Sequence, residues 1–192
     1  MVLFSAWGSA VALLVTTGLL YILAAQDDTI VFFHVSGILS SGCPVTLASR
    51  FGNFGYSIAY ALLAISFRSV YTRDHSRLFY YVGLFAILSM FLVLFFPSGV
   101  SRGSDIVHYF ATAGLILGLL VYTFGYLDLR RQKAVAFIQN GATLMLFLSS
   151  IAMFTTAVVG EWNRPGWNGF VVSQLLFLFF FVVFLFCWGT TR

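Results

Sequence analysis

The chain has 192 residues, of which 60% are hydrophobic and 8% charged, and its formal net charge is +4. A soluble domain carries roughly a quarter of its residues charged, so this composition excludes an ordinary water-facing fold and makes lipid the solvent. The basic residues are scattered in short clusters between long apolar runs, which speaks against a nucleic-acid surface and turns the charge into a record of topology.

Within a bilayer each backbone amide needs an internal partner, and continuous apolar runs without strict alternation meet that need as helices, not as barrel strands. The expected fold is an all-α integral membrane protein: one transmembrane domain over residues 1–192, built as a six-transmembrane-helix bundle. The first span, at about 2–25, ends at Asp27 and Asp28. It lacks the basic start of a signal peptide and is too long for one; although Ala24 and Ala25 are the small residues of a cleavage site, it reads as a retained helix. A long loop follows through Phe33, His34, Gly42, Cys43, Pro44 and Arg50. Its Ile30, Val31, Phe32, Phe33, Ile38 and Leu39 are too apolar for water, so it is expected to fold back on the bundle or lie among headgroups.

The second span covers about 51–70 and the third about 78–96, with Arg73, Asp74, His75 and Arg77 between them and Pro97 and Gly99 after. The fourth, at about 105–127, ends at Asp128, Arg130, Arg131 and Lys133; the fifth covers about 135–159. The turn from Glu161 through Trp162, Asn163, Arg164 and Trp167 leads to the sixth, at about 170–188. Ala111, Gly114 and Gly118 have the spacing of a close helix–helix contact. The last span carries Phe177, Phe179, Phe180, Phe181, Phe184 and Phe186 all round, which predicts a peripheral, lipid-facing helix.

Arg68, Arg73, Arg77, Arg130, Arg131, Lys133 and Arg192 fall on one side of this arrangement, against Arg50, Arg102 and Arg164 on the other. The positive-inside rule makes the first side cytoplasmic, with both termini there. Trp162, Trp167 and Trp188 sit near helix ends, where an interfacial aromatic belt is expected. Cys43 and Cys187 then face opposite sides, so no disulfide joins them.

The polar residues worth chemistry gather at the other mouth: Arg102, Asp105 and His108 open the fourth span, and Glu161, Trp162, Asn163 and Arg164 close the gap between the last two. Asp105 and His108, three apart, share one part of a helix face. A carboxylate beside an imidazole suits a general base or a headgroup site, and Arg102 or Arg164 suits a phosphate. The structural alternative is caps and ion pairs for the carboxylates and a structural hydrogen bond for His108. His34, His108, Asp105 and Glu161 have no metal-site spacing, so neither metal nor cofactor is expected. His75 reads as a solvated loop residue and Cys43 as a small buried one. Ser149 and Ser150 are expected to bond to their own helix, and Gln139, Asn140 and Gln174 to join helices. The lack of a lysine or internal carboxylate in any span argues against a proton pump, an ion channel with a charged filter or a retinal protein.

Ile38-Leu39-Ser40-Ser41-Gly42-Cys43-Pro44 leading to Phe51-Gly52, Asp105-Ile106-Val107-His108 with Gly114, Gly118 and Tyr122-Thr123, and Glu161-Trp162-Asn163 together resemble the DRAM (damage-regulated autophagy modulator) family of six-helix membrane proteins, with its GPI-anchor-remodelling and uncharacterised prokaryotic relatives. The sequence lacks that family's Pro-Pro-Glu in the first loop and has Tyr109 where the family has an acidic residue. The resemblance implies a membrane-embedded role touching lipids, lipid anchors or a recruited partner, and carries over to Ser40, Gly42, His108, Glu161 and Trp162. The leading expectation is thus a non-catalytic membrane protein that interacts with lipid or regulates a membrane partner or a second copy of itself. It would sit in the plasma membrane of a prokaryote, or in an endomembrane or plasma membrane of a eukaryote. The rivals are a lipid-modifying enzyme using Asp105, His108 and Glu161, and an accessory subunit of a larger complex.

Overall fold

A computed structural model describes residues 2–28, 35–40, 47–74, 77–96, 101–125, 134–161 and 164–191. The elements among the described residues are helices: α1 (Val2–Ala24), α2 (Val35–Ser40), α3 (Leu47–Asp74), α4 (Arg77–Phe95), α5 (Arg102–Gly125), α6 (Ala134–Val158) and α7 (Gly169–Thr191). Among the described residues, four segments are long and apolar enough to cross a membrane: Phe4–Ala24, Arg102–Gly125, Val135–Val158 and Gly169–Thr190. The apolar stretch of α4, Tyr80–Phe95, is shorter. At 28 residues α3 is long enough, but Asn53, Arg50, its serines and its tyrosines make it the more polar helix.

The six long helices form a ring in the order α1, α3, α4, α5, α6, α7 and back to α1, with α2 tucked against α3 and α4. α1 and α3 run antiparallel, as cross-helix contacts show. The Ser66 hydroxyl donates to Ser5 Oγ at 2.8 Å, Ser9 Oγ donates to the Ala59 carbonyl at 2.9 Å, and Thr17 and Tyr56 share a hydroxyl bond at 3.0 Å. Trp7 Nε1–H donates to the Phe186 carbonyl at 3.1 Å, which brings the beginning of α1 beside the end of α7. Both ends of the described chain therefore lie at one end of the bundle, here the termini end; His108 lies at the other.

Small residues let α4 and α5 touch. A Cβ on Gly118 would stand 3.0 Å from Ala86 Cβ and 3.3 Å from its Cα, and one on Gly114 would meet Ser89 and Phe85. The backbone contact expected from the glycine spacing is present. Ser149 and Ser150 both donate to the Leu146 carbonyl of their own helix, at 3.0 and 2.7 Å, as helical hydroxyls do where lipid offers no water.

The last helix departs from expectation. Its Val172, Leu176 and Phe179 are exposed, as a lipid-facing helix requires, but α7 also packs along α6 and α1 and buries Phe177, Phe181, Phe184, Leu185 and Trp188. Trp188, placed by sequence in an interfacial belt, is 0% exposed. Its ring lies edge-on to Phe67 at 6.0 Å and to Tyr122 at 5.8 Å between centroids, while Phe67 and Tyr122 are 4.0 Å apart. Three rings from α3, α5 and α7 thus fill the middle of the ring of helices. An all-apolar helix has no preferred face, so its neighbours choose which phenylalanines to cover.

Candidate functional site

At the His108 end, α5 begins earlier than its apolar run because Ser101 caps it. The Ser101 hydroxyl accepts from the Ser104 N–H at 3.1 Å, and its carbonyl accepts from the Asp105 N–H at 2.9 Å. Arg102 occupies the first helical position and is exposed; Asp105 is partly covered one turn in. Such a carboxylate in the first turn is favoured by the helix dipole.

One turn deeper, His108 is 4% exposed. Its Nδ1 lies 2.8 Å from the Phe96 carbonyl, so Nδ1 carries the proton and donates. The Val93 carbonyl also faces the ring, and the Asp105 charge acts on it from the preceding turn. The last carbonyls of α4 have no partner within their helix, and His108 supplies one across the α4–α5 turn. With Nδ1 committed, Nε2 is the nitrogen left for any other ligand.

The second polar group is held on the α6–α7 turn. The α6 helix closes on Gly160, whose φ of 80° needs glycine, with its N–H donating to the Ala157 carbonyl at 3.0 Å. The next residue, Glu161, turns its carboxylate against Gly169 at the start of α7, with Oε2 enclosed and no hydrogen-bond donor to it among the described residues. The positive end of the α7 dipole compensates part of that charge. The Glu161 carbonyl accepts from the Arg164 N–H at 3.0 Å, and the exposed Arg164 carbonyl accepts from Asn168 Nδ2 at 3.0 Å. Asn168 Oδ1 in turn accepts from the Val171 N–H at 3.1 Å, capping α7. Trp167, 60% exposed, stacks on Tyr21 of α1 at 5.4 Å between centroids.

The site residues expected from sequence come from two hairpins. Arg102, Asp105 and His108 belong to the α4–α5 hairpin, while Glu161 and Arg164 belong to the α6–α7 hairpin; α5 and α6 make the smallest contact in the ring. Trp162, Asn163, His34, Gly42 and Cys43 lie outside the described residues, as does the ring of His75; Cys187 is a buried free thiol. Among the described residues no three His, Cys, Asp or Glu side chains come together in a metal-binding group.

Gln174 acts differently from a simple span-to-span link. Its Oε1 accepts from the Val35 N–H at 2.9 Å, anchoring the start of α2 to α7. With Ile38 and Leu39 buried, this part of the first loop does fold onto the bundle, and Gly52 leaves room for Leu39 and Leu20 beside it. Gln174 was expected from sequence to join helices, though not to the first loop; the Ser101 cap was not singled out, and a serine just ahead of an apolar run is the signal that marks it.

No family model, curated protein or solved structure matches the chain.

Proposed function

We propose that the chain is a six-crossing membrane protein with cytoplasmic termini that interacts with lipid or regulates a membrane partner, without catalysis of its own, in the manner the DRAM-like resemblance implies. Six crossings are favoured because α3, at about 42 Å, and α4, at about 28 Å, have the length to accompany the four more apolar helices. Cytoplasmic termini are favoured by exposed Arg68 and Arg77 at the termini end and by the basic run from Arg130 to Lys133.

The observation that carries the non-catalytic reading is the bond from His108 Nδ1 to the Phe96 carbonyl. A base aided by Asp105 would orient that same nitrogen toward the carboxylate, and here a helix end takes it. Native mass spectrometry of gently purified protein is the test. Retained lipid or a partner chain, with neither lost lipid nor lost phenotype in Asp105→Asn, supports the reading; lipid turnover abolished by Asp105→Asn with folding intact overturns it. If His108→Ala and Glu161→Ala leave folding, retained lipid and phenotype all unchanged, the assignment of this end of the bundle to the function is refuted.

A further inference from the structure

Phe67 of α3 and Tyr122 of α5 touch in the middle of the ring, beside Trp188 of α7. From Phe67 toward the His108 end, steps of four and three residues lead along the same face of α3 to Leu63, Tyr60 and Tyr56, all buried. From Tyr122 the matching steps on α5 lead to Leu119, Leu115, Thr112 and His108. The two stripes are thus apolar next to the three rings and carry hydrogen-bonding groups in the half nearer His108. Contacts between helices set the levels. Gly114 meets Ser89, Gly118 meets Ala86 and His108 meets Phe96, so Phe91 of α4 stands opposite Thr112. Tyr60 lies edge-on to Phe91 at 6.0 Å between centroids, which brings Tyr60 and Thr112 to one level. Tyr56, stacked on Tyr60 at 5.9 Å, bonds to Thr17 of α1 one turn nearer the mouth and acts electrostatically on Tyr60 and on Tyr21 of α1.

Two of these groups have no partner. Thr112 Oγ1 and Tyr21 Oη are enclosed, and neither makes a hydrogen bond among the described residues. Thr143, Thr155 and Thr156 of α6 each donate to the carbonyl four residues back, so Thr112 departs from what its own helix would offer it. A hydroxyl shut away without a partner costs free energy, and hydrocarbon cannot relieve it; only a hydrogen-bonding molecule held inside the protein can.

We propose that the ring interior at Thr112, Tyr60, Tyr56 and Tyr21 holds water, as an aqueous half-channel that enters from the His108 end and stops at Phe67, Tyr122 and Trp188. Bound water takes about two to four polar partners and both donates and accepts, as hydroxyls do. None of these four side chains is charged, so the ligand class is water and other small uncharged hydroxyl compounds. The short helix α2 roofs the chamber: its Val35 is tied to Gln174 of α7, and its Leu39 lies against Gly52 of α3, one turn from Tyr56.

The test is X-ray hydroxyl-radical footprinting of the full chain in phosphatidylcholine vesicles, since radiolysis of bound water oxidises the side chains beside it and mass spectrometry locates the products. Tyr56 and Tyr122 are each 1% exposed, so radicals from bulk water reach neither and the two rings are matched. Oxidation of Tyr56 and Tyr60 is expected to exceed that of Tyr122 by about fivefold or more, because only the first two adjoin bound water. Thr112→Val keeps the shape and removes one partner of the water; it should lower the Tyr60 signal severalfold and leave Tyr122 unchanged, which also certifies the fold. Equal oxidation of Tyr56, Tyr60 and Tyr122 overturns the proposal, and a lipid group filling the space in place of water would give that result. A Tyr60 signal indifferent to Thr112→Val overturns it as well, and so does a raised thermal midpoint in that variant, the mark of a dry hydroxyl relieved. Lipid retained in native spectra bears on none of these readouts, so the chamber and the lipid-interacting reading fail separately.

Discussion

Replacing Gly118 by alanine probes the closest helix contact in the bundle. The added Cβ would stand 3.0 Å from Ala86 Cβ, 3.3 Å from its Cα and 3.4 Å from its nitrogen, where ordinary contact begins at 3.4 Å. Two of those three atoms are backbone, so no rotamer change relieves the clash and α4 must move by some tenths of an ångström. Overpacking of this kind costs about 1–3 kcal/mol. Gly141 of α6 is the control, since a Cβ there meets nothing within 4 Å. Both substitutions gain the same helix propensity, so their difference isolates the packing cost. Followed by circular dichroism in detergent, the thermal midpoint of Gly118→Ala should fall below that of Gly141→Ala by roughly 5 °C. Ala86→Gly removes the 3.0 Å contact but leaves the backbone ones and costs about 1 kcal/mol of helix propensity, so the double variant should lose less than the sum of the two single losses. Equal midpoints for the two alanine variants, or strictly additive losses in the double variant, would refute the packing argument.

Three further outcomes are expected. His108→Ala leaves the α4 carbonyls enclosed without their donor and should destabilise the fold by about 1–3 kcal/mol, whereas His108→Asn, which keeps a neutral N–H, should recover part of it; an unaltered melting curve for His108→Ala would remove the capping role. Trp188→Ala should cost about 3–5 kcal/mol, as for a core tryptophan, while Trp167→Ala at the exposed turn should cost far less; similar losses for both would restore Trp188 to the interface. Gln174→Leu should release the start of α2 from α7, seen as faster hydrogen exchange over residues 35–40 with α3 to α7 unaffected, and unchanged exchange would show that α2 is held by other contacts.

Several of these features were legible in the sequence because they follow from local chemistry. Charged clusters between apolar runs mark helices and turns, hydroxyls inside a span bond back to their own helix, and glycines spaced by four mark where backbones meet. The apolar residues of the first loop announced that part of it would seek cover, and Ile38 and Leu39 find it. The polar residues at the mouth were also visible, and so was their division between the start of the fourth span and the turn before the sixth; the small contact between α5 and α6 was not, since chain order says nothing of which helices pack side by side.

The misplacement of α7 has a general cause. In water, burial follows hydrophobicity; in lipid the outside of a helix is as apolar as the inside, so six phenylalanines around one helix carry no information about which face is covered. The partners of His108 and Gln174 were hidden for a related reason: each is a backbone group across an interhelical turn or 139 residues away. Composition and spacing alone determined that the chain would be helical, apolar and closely packed at Gly114 and Gly118. Only the tertiary structure decided that Trp188 lies in the core, that His108 closes α4, and that α5 and α6 stand apart, because those choices depend on which surfaces meet and not on what any one surface is made of.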